Sequence, residues 1–267
     1  LSIRQAAAAK EQRRVRDAVE GNKTNGPEGY EMALLTQPKE ITDFEQNGFA
    51  LIRNPFSAEQ INLLTHAIEE FRIAQDSALS AGFRNLLRQS SGVREFAESK
   101  EIREIVEALQ GSKSKPVRSI FFDKTPASNW YVTWHQDLSI AVEKRIDTEG
   151  YGPWSVKDGT IHTQPPREIL EHIVSLRIHL DACPIENGAI KFIAGSHRNG
   201  IINPAEVATR AEACTSIACA AEVGDIILMR PLILHSSSKS TQPDHRRVLH
   251  LEFAAIDLPN GLSWTEA

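Results

Sequence analysis

Two histidines and an aspartate, widely separated in the chain, most constrain how this sequence can fold. His135 and Asp137 stand two residues apart, and His235 follows Asp137 by 98 residues. Residues 130–134, rich in aromatic and β-branched side chains, lead into His135, and the apolar run 225–234 leads into His235. Both histidines are therefore predicted to lie at or just past strand ends. A β-scaffold would hold their side chains more rigidly than a free loop.

These three side chains form a candidate metal site. Two imidazoles and one carboxylate make a facial triad, which leaves three coordination positions open and suits non-haem Fe(II) oxygenases. A His-x-Asp pair alone occurs by chance in many proteins, so the strand context supports the assignment. Arg246 lies eleven residues past His235. Its guanidinium could hold the distal carboxylate of an acidic co-substrate through two hydrogen bonds.

Composition excludes several classes of protein. The 267 residues are 41% hydrophobic, enough for one large domain or two small ones. The net charge is −5, and no basic stripe interleaved with aromatics suggests a nucleic-acid surface. No apolar run approaches 18 residues, so no membrane span is expected. Cys183, Cys214 and Cys219 do not fit a disulfide framework and are interpreted as free thiols in a reducing cytoplasm.

The pattern along the chain predicts helices first and strands afterwards. Residues 1–36 are interpreted as a charged helix over 3–20 and a glycine-rich linker over 21–32, preceding one domain over 37–267. Helices are predicted at 40–46, from a Ser57 cap to about residue 75, and at 92–109. Strands are predicted at 48–53, 116–123, 172–181, 188–194, 216–223, 225–230 and 246–256. Many short strands after a helical first third indicate a mainly β fold of two sheets, with helices packed outside.

Several motifs between about residues 40 and 257 resemble those of one family, the phytanoyl-CoA dioxygenases, which are Fe(II)/2-oxoglutarate oxygenases. The matching segments are Ile41–Asn54, Trp134-His135-Gln136-Asp137, Leu180-Asp181, Glu186-Asn187-Gly188-Ala189, Gly195-Ser196-His197, Gly224-Asp225 leading to His235, and Arg246-Arg247-Val248-Leu249. Ala194 stands where the family has a proline before its Gly-Ser-His motif. The motifs are specific for the family and not for a substrate.

The resemblance implies a fold, cofactors and a reaction. The fold would be a double-stranded β-helix, which is a cupin-like jelly roll. Fe(II) would be bound by His135, Asp137 and His235, with 2-oxoglutarate and O2 as co-substrates and Arg246 holding the 2-oxoglutarate. The expected reaction is hydroxylation of an unactivated C–H bond of a small molecule, with release of succinate and CO2. Desaturation, cyclisation or epimerisation on the same machinery, and a non-catalytic metal-binding jelly roll, remain as alternatives.

Further residues are candidates for binding the co-substrate or the substrate. Lys124, at the end of a predicted strand, could contact 2-oxoglutarate or the substrate. Gln136 stands between two predicted ligands and could touch the substrate. Residues 141–170 contain several glycines and prolines together with Tyr151 and Trp154. This segment is interpreted as an irregular insertion that forms a mobile lid and selects the substrate.

Alternation along two strands predicts which side chains face the interior. Arg177, His179 and Asp181 fall on one face of the strand 174–181, and two basic groups facing an active site would suit an anionic substrate. The adjacent Arg246 and Arg247 must point to opposite sides, so only one can face inward, and Arg247 is interpreted as a surface charge. A cytoplasmic monomer or homodimer is expected.

Overall fold

The structure is a computed structural model that describes residues 38–75, 82–241 and 245–267. These residues belong to one compact unit, Leu35–Ala267. The predicted helix at 3–20 and linker at 21–32 lie outside the described residues. Among the described helices, none has both the length and the apolar character needed to cross a membrane.

Helices are concentrated in the first part of the described chain, and strands follow. The helices are α1 (Pro38–Asn47), α2 (Ala58–Ala74), α3 (Leu86–Gln89), α4 (Ser91–Ala97), α5 (Lys100–Gln110), α6 (Arg167–Glu171) and α7 (Pro204–Glu212), with 3-10 turns at Ile185–Asn187 and Ser196–Asn199. The strands are β1 (Phe49–Ile52), β2 (Gly82–Arg84), β3 (Lys115–Lys124), β4 (Val132–His135), β5 (Ile140–Val142), β6 (Trp154–Lys157), β7 (Thr160–Thr163), β8 (Ile173–His179), β9 (Ile190–Phe192), β10 (Ile217–Cys219), β11 (Ile226–Met229), β12 (His235–Ser237) and β13 (Arg246–Ala254).

Serines precede several of the helices in the first part of the described chain. Ser57 caps α2 as predicted: its hydroxyl accepts from the Gln60 backbone N–H while the Gln60 side chain accepts from the Ser57 N–H. The single helix predicted over 92–109 is instead two, α4 and α5. Ser99, in an extended conformation, separates them and precedes the first residue of α5.

Two antiparallel sheets form the body of the fold. The larger has the order β1-β11-β8-β13-β3-β2, and the smaller has the order β10-β9-β12-β4. They pack face to face through an apolar cluster in which Phe49 of β1 stacks on Phe192 of β9 at 4.4 Å between ring centroids. The predicted double-sheet fold with helices outside is therefore confirmed.

The outer face of the larger sheet carries the main hydrophobic core. Alternate residues such as Leu176, Ile178, Leu249 and Leu251 are fully buried against helices α2 to α5. Side chains in strands alternate between faces, so Arg177 and His179 on β8 and Arg246, Val248 and His250 on β13 face inward, towards the smaller sheet. Because the apolar residues of these strands are buried in the outer core, the polar residues between them line the interior.

Residues 141–170 differ from the irregular segment predicted for them. Strands β5, β7 and β6 form a separate three-stranded antiparallel sheet in that order. Its apolar side chains, including Val142, Tyr151 and Trp154, pack with Leu262 and Trp264 near the carboxyl end of the chain. The glycines and prolines of the segment lie in the turns between these strands and in the flanking loops.

Candidate active site

The three predicted metal ligands meet between β4 and β12 of the smaller sheet. His135 and His235 are directly paired across the two strands. Asp137 follows β4 and is held by its backbone N–H, which donates to the Pro231 carbonyl at 2.9 Å. Its two carboxylate oxygens lie 3.7 Å from the His135 Nε2 and 3.6 Å from the His235 Nε2. One ligand atom from each residue lies within 4.8 Å of the others, as binding of a single metal ion requires.

Hydrogen bonds orient both imidazoles for metal binding. The Nδ1 atom of His135 lies 2.8 Å from the Thr133 carbonyl, and that of His235 lies 3.0 Å from the Ile233 carbonyl. A carbonyl can only accept, so each Nδ1 carries the proton and each Nε2 presents its lone pair to the site. The donor set therefore fits Fe(II), with neutral imidazoles and one carboxylate on the same side of the site.

Electrostatics at the site favour the metal-binding protonation states. Burial lowers the pKa of His235 to about 4, so this imidazole is neutral at pH 7. Burial by itself would raise the pKa of Asp137, but the facing His235 and His135 hold it below its usual range. The His235 side chain is only 7% exposed, whereas that of His135 is 37% exposed. The site is therefore open on the His135 side.

Gln136 does not face the metal site, which corrects its interpretation as a substrate contact. Its Nε2 donates to the carbonyls of Gly200 and Leu232 at 2.8 and 2.6 Å, and its Oε1 accepts from the Ile202 N–H at 2.8 Å. Its side chain is buried. Alternation explains the difference, because a residue between two inward-facing ligands points the other way.

We expect Gln136→Ala to lower stability more than it changes the chemistry. The substitution leaves two buried carbonyls and one buried N–H of the loops beside the ligands without partners, at a cost of about 1–3 kcal/mol in the free energy of unfolding. Urea unfolding of the metal-free variant measures this cost. A stability equal to that of the parent would show that these hydrogen bonds do not hold the loops.

Arg246 and Arg247 face opposite sides of β13, as alternation predicts. Arg246 is buried, and its Nη1 donates to the carbonyls of Asn187, at 3.2 Å, and Gly188. Arg247 forms a bidentate ion pair with Asp181, at 2.9 and 2.7 Å. Arg247 was predicted to be a free surface charge, but it has this ion-pair partner. Asp181 was predicted to share the inner face with Arg177 and His179, but it lies on the outer side with Arg247.

Lys124 lies beside Arg246 on the inner face of the larger sheet. The two residues are directly paired between β3 and β13. The Lys124 Nζ donates to the Ser237 hydroxyl at 3.2 Å and to the Ser238 carbonyl at 3.1 Å, and its side chain is fully buried. Burial, followed by the charges of Arg246 and Arg177, lowers the pKa of Lys124 to about 7. Ser237 lies two residues past His235, so Lys124 and Arg246 are close to the metal site.

Arg177 and His179 line the interior, as predicted from the alternation in β8. His179 is buried, neither of its ring nitrogens has a hydrogen-bond partner, and burial lowers its pKa to about 3. His179 does not belong to the metal cluster. The Arg177 guanidinium lies over the Phe122 ring, 5.5 Å from its centroid, and its Nη1 is 3.4 Å from the His250 Nδ1.

Sequence reasoning missed one group of polar interior residues. His250, which was not among the predicted site residues, lies on the inner wall beside Arg177, with which it is paired in register. Next to it, Arg118 donates to Glu252 at 3.0 Å and to the Ser139 carbonyl at 2.9 Å, two residues beyond Asp137. The sequence carried a signal for these residues, because His250 and Glu252 alternate with the apolar residues Leu249 and Leu251 on β13.

Trp154 lies in β6 and packs in the apolar cluster of the three-stranded sheet. The Arg145 guanidinium lies 5.5 Å from the centroid of its ring. Trp154 is paired with Thr163 of β7, and Thr163 is paired with Ile140 of β5, three residues past Asp137. The hairpin formed by β6 and β7 is therefore attached to the segment that follows Asp137, with Trp154 as one of its packing residues.

Comparisons with known proteins agree with this geometry. The profile of the phytanoyl-CoA dioxygenase (PhyH) family matches residues 44–248. No curated protein sequence gave a significant match.

Solved structures share the fold at low sequence identity. AviO1 from Streptomyces viridochromogenes Tue57 is 20% identical, with a TM-score of 0.63 over 85% of this chain and 99% of that one. The 2-oxoglutarate-dependent carbocyclase SnoK of nogalamycin biosynthesis is 15% identical, with a TM-score of 0.67 over 91% and 90%. EctD from S. alaskensis, solved with 2-oxoglutarate and 5-hydroxyectoine, is 17% identical, with a TM-score of 0.64 over 88% and 80%. The jelly-roll fold is confirmed.

Proposed function

The chain belongs to the phytanoyl-CoA dioxygenase family of Fe(II)/2-oxoglutarate-dependent oxygenases, and we propose that it hydroxylates an unactivated C–H bond of a small molecule. The reaction would consume 2-oxoglutarate and O2 and release succinate and CO2. The observation that carries the proposal is the cluster of His135, Asp137 and His235, with both imidazole Nε2 atoms and the carboxylate directed at one point.

Each residue of the site has a task that follows from its geometry. His135, Asp137 and His235 would hold Fe(II), which, with 2-oxoglutarate and O2 bound, supplies an oxidant able to attack a C–H bond. The backbone carbonyls behind both imidazoles fix their rotation, so the three donors are ready before the metal arrives. The sheets behind His235 exclude water, and the open side at His135 leaves room for substrate.

Arg246 and Lys124 are proposed to bind the distal carboxylate of 2-oxoglutarate. They sit side by side on the inner wall, and Lys124 also contacts Ser237, on the same strand as His235. A guanidinium and an ammonium in a buried pocket form strong, charge-assisted hydrogen bonds with a carboxylate. The negative co-substrate would in turn favour protonation of Lys124, whose pKa is otherwise lowered by burial and by the charges of Arg246 and Arg177.

Consumption of 2-oxoglutarate tests the proposed function. The full chain, loaded with Fe(II) and supplied with 2-oxoglutarate in air, should form succinate, and omission of iron or addition of a chelator should abolish this. Asp137→Ala serves as the matched control, because it removes one metal donor. A non-catalytic metal-binding module would form no succinate under any of these conditions, with or without candidate substrates.

A different oxidative outcome is the alternative: SnoK is named a carbocyclase, whereas EctD was solved with 5-hydroxyectoine, so proteins of this fold differ in outcome. Hydroxylation adds one oxygen atom from O2 to the product, whereas cyclisation or desaturation removes two hydrogens. Epimerisation leaves the product mass unchanged. Mass spectrometry of the product formed under ¹⁸O2 therefore separates the outcomes, and a product without the label would overturn hydroxylation.

We further propose that residues 141–170 cover the open side of the site and shape the substrate pocket. Support comes from strand pairing, because β5 begins three residues past Asp137 and joins β7 and β6 to the segment that carries this ligand. The packing of Tyr151 and Trp154 anchors this sheet to the body of the domain. A cover of this kind shields the reaction from water and side reactions.

Trp154→Ala tests the cover. The substitution removes a half-buried aromatic anchor, so substrate hydroxylation should fall about tenfold or more while 2-oxoglutarate decarboxylation without substrate persists. Succinate and hydroxylated product are measured in the same reaction, with Val156→Ala as the control at an exposed position on the same strand. If both activities stay at parental levels, specificity comes from barrel residues such as Arg177 and His179.

A further inference from the structure

The inner wall of the larger sheet carries more positive charge than the metal and co-substrate require. Its basic side chains are Arg118 and Lys124 on β3, Arg177 on β8 and Arg246 on β13. Arg118 is neutralised by its ion pair with Glu252. Under the proposed function, Arg246 and Lys124 hold the distal carboxylate of 2-oxoglutarate. Of these four basic residues, only Arg177 has neither an ion-pair partner nor a role in holding 2-oxoglutarate.

Arg177 lacks an anionic partner within the described part of the chain. Its contacts are an aromatic face, Phe122, and one imidazole nitrogen, the His250 Nδ1 at 3.4 Å. Its buried Nε has no hydrogen-bond partner. Two carboxylates of the interior have other partners, since Glu252 pairs with Arg118 and Asp137 faces the two metal-binding histidines. A half-buried guanidinium with a buried, unpartnered Nε and no counter-charge is costly, so its presence points to a ligand that neutralises it.

The position of Arg177 favours the substrate as that ligand. Arg177 is paired in register with His250, and His179 with Val248, so Arg177 lies two inward-facing positions along the wall from Arg246. Two residues of β3 join this wall to the segments that carry the metal ligands: Lys124 contacts Ser237, two residues past His235, and Arg118 contacts Ser139, two residues past Asp137. Arg177 lies over Phe122, which stands between Lys124 and Arg118 on β3. The guanidinium therefore faces the metal centre from the larger sheet, while Arg246 and Lys124 lie together at one end of their strands.

We propose that Arg177 binds a carboxylate or phosphate group of the substrate and so makes this enzyme selective for anionic small molecules. His179, the next inward residue on β8, has two unpartnered ring nitrogens and would add a hydrogen bond to the same group or to a neighbouring polar atom of the substrate. The proposal rests on the proposed function, because it assumes that 2-oxoglutarate occupies the pocket at Arg246.

A binding measurement with inorganic phosphate as the probe tests this site without knowledge of the substrate. The full chain is loaded with Ni(II), a redox-inert substitute for Fe(II), and saturated with 2-oxoglutarate, and phosphate is titrated by calorimetry. We expect one phosphate to bind alongside 2-oxoglutarate, and Arg177→Gln to weaken this binding by about tenfold or more. Arg210→Gln is the matched control, since Arg210 pairs with Glu206 on the exposed surface of α7.

The outcomes separate this proposal from the proposed function. Phosphate that displaces 2-oxoglutarate, or an Arg177→Gln variant that binds 2-oxoglutarate much more weakly, would assign Arg177 to the co-substrate and overturn the proposal. Phosphate binding that is unchanged in Arg177→Gln would also overturn it. The visible charge-transfer absorption of the anaerobic Fe(II)–2-oxoglutarate complex reports the proposed function independently, and its retention in Arg177→Gln shows that the variant is folded.

A screen with matched compounds tests the substrate class directly. Carboxylic acids are compared with their amides, and phosphate esters with their alcohols, for stimulation of succinate formation in the Fe(II)-loaded enzyme. We expect only the anionic member of each active pair to stimulate, and Arg177→Lys to retain more of the effect than Arg177→Gln. Neutral members that stimulate equally would overturn the proposal.

Discussion

Replacement of His235 by alanine is expected to abolish iron-dependent turnover. His235 supplies one of three protein donors, and the remaining pair, His135 and Asp137, comes from a single short segment of chain. Loss of one donor weakens metal binding and opens the site to water, so succinate formation should fall to the background rate of free iron. Succinate release and the metal retained after dialysis are measured together.

The control for this substitution is another histidine near the same part of the chain. His245 is exposed and contacts the Asp123 carboxylate through its Nδ1 at 2.8 Å, away from the metal cluster. His245→Ala should retain metal and activity. His235→Gln, which keeps more of the buried volume, should lose metal as His235→Ala does. Full activity in either His235 variant would show that the metal site has been assigned to the wrong residues.

Replacement of Arg246 is expected to raise the requirement for 2-oxoglutarate steeply. Removal of one partner of a buried, hydrogen-bonded charge pair costs about 2–5 kcal/mol, which corresponds to roughly thirtyfold or more in the dissociation constant. Arg246→Lys should recover little, because an ammonium cannot reproduce the two parallel hydrogen bonds of a guanidinium. The charge-transfer absorption of the anaerobic Fe(II) complex, titrated with 2-oxoglutarate, gives the dissociation constant.

Arg247 provides the matched control on the same strand. Its guanidinium points to the outer side and pairs with Asp181. Arg247→Ala should therefore lower the free energy of unfolding and leave 2-oxoglutarate binding unchanged. The reverse pattern, with tight binding in Arg246→Ala and weak binding in Arg247→Ala, would mean that the co-substrate does not occupy the inner wall.

Tertiary structure altered one prediction about the strand that leads to His235. A strand was predicted at 225–230, and the apolar run 225–234 was predicted to bring His235 to or just past a strand end. Strand β11 does end at Met229, but His235 begins β12 in the opposite sheet. Pro231 lacks the backbone N–H that a continuous ladder would require, and the Ile233 N–H closes a turn onto the Arg230 carbonyl. A uniformly apolar run does not reveal where a chain passes from one sheet to the other, because both ends are buried.

The sequence by itself was enough to identify the candidate metal ligands that the structure brings together, the opposite orientations of Arg246 and Arg247, and the Ser57 cap. Ligand chemistry, strand alternation and capping depend on residue types and local spacing. Only the tertiary structure decided that residues 141–170 form a sheet, that Gln136 serves the backbone of neighbouring loops, and that Arg118 takes Glu252 as its partner. Each of these depends on contacts between segments that are distant in the chain. The local sequence pattern is compatible with several partners for each segment, and packing of the whole chain selects one of them. The unpaired state of Arg177 belongs to the same group, since a missing partner becomes visible only when every neighbouring carboxylate has been placed.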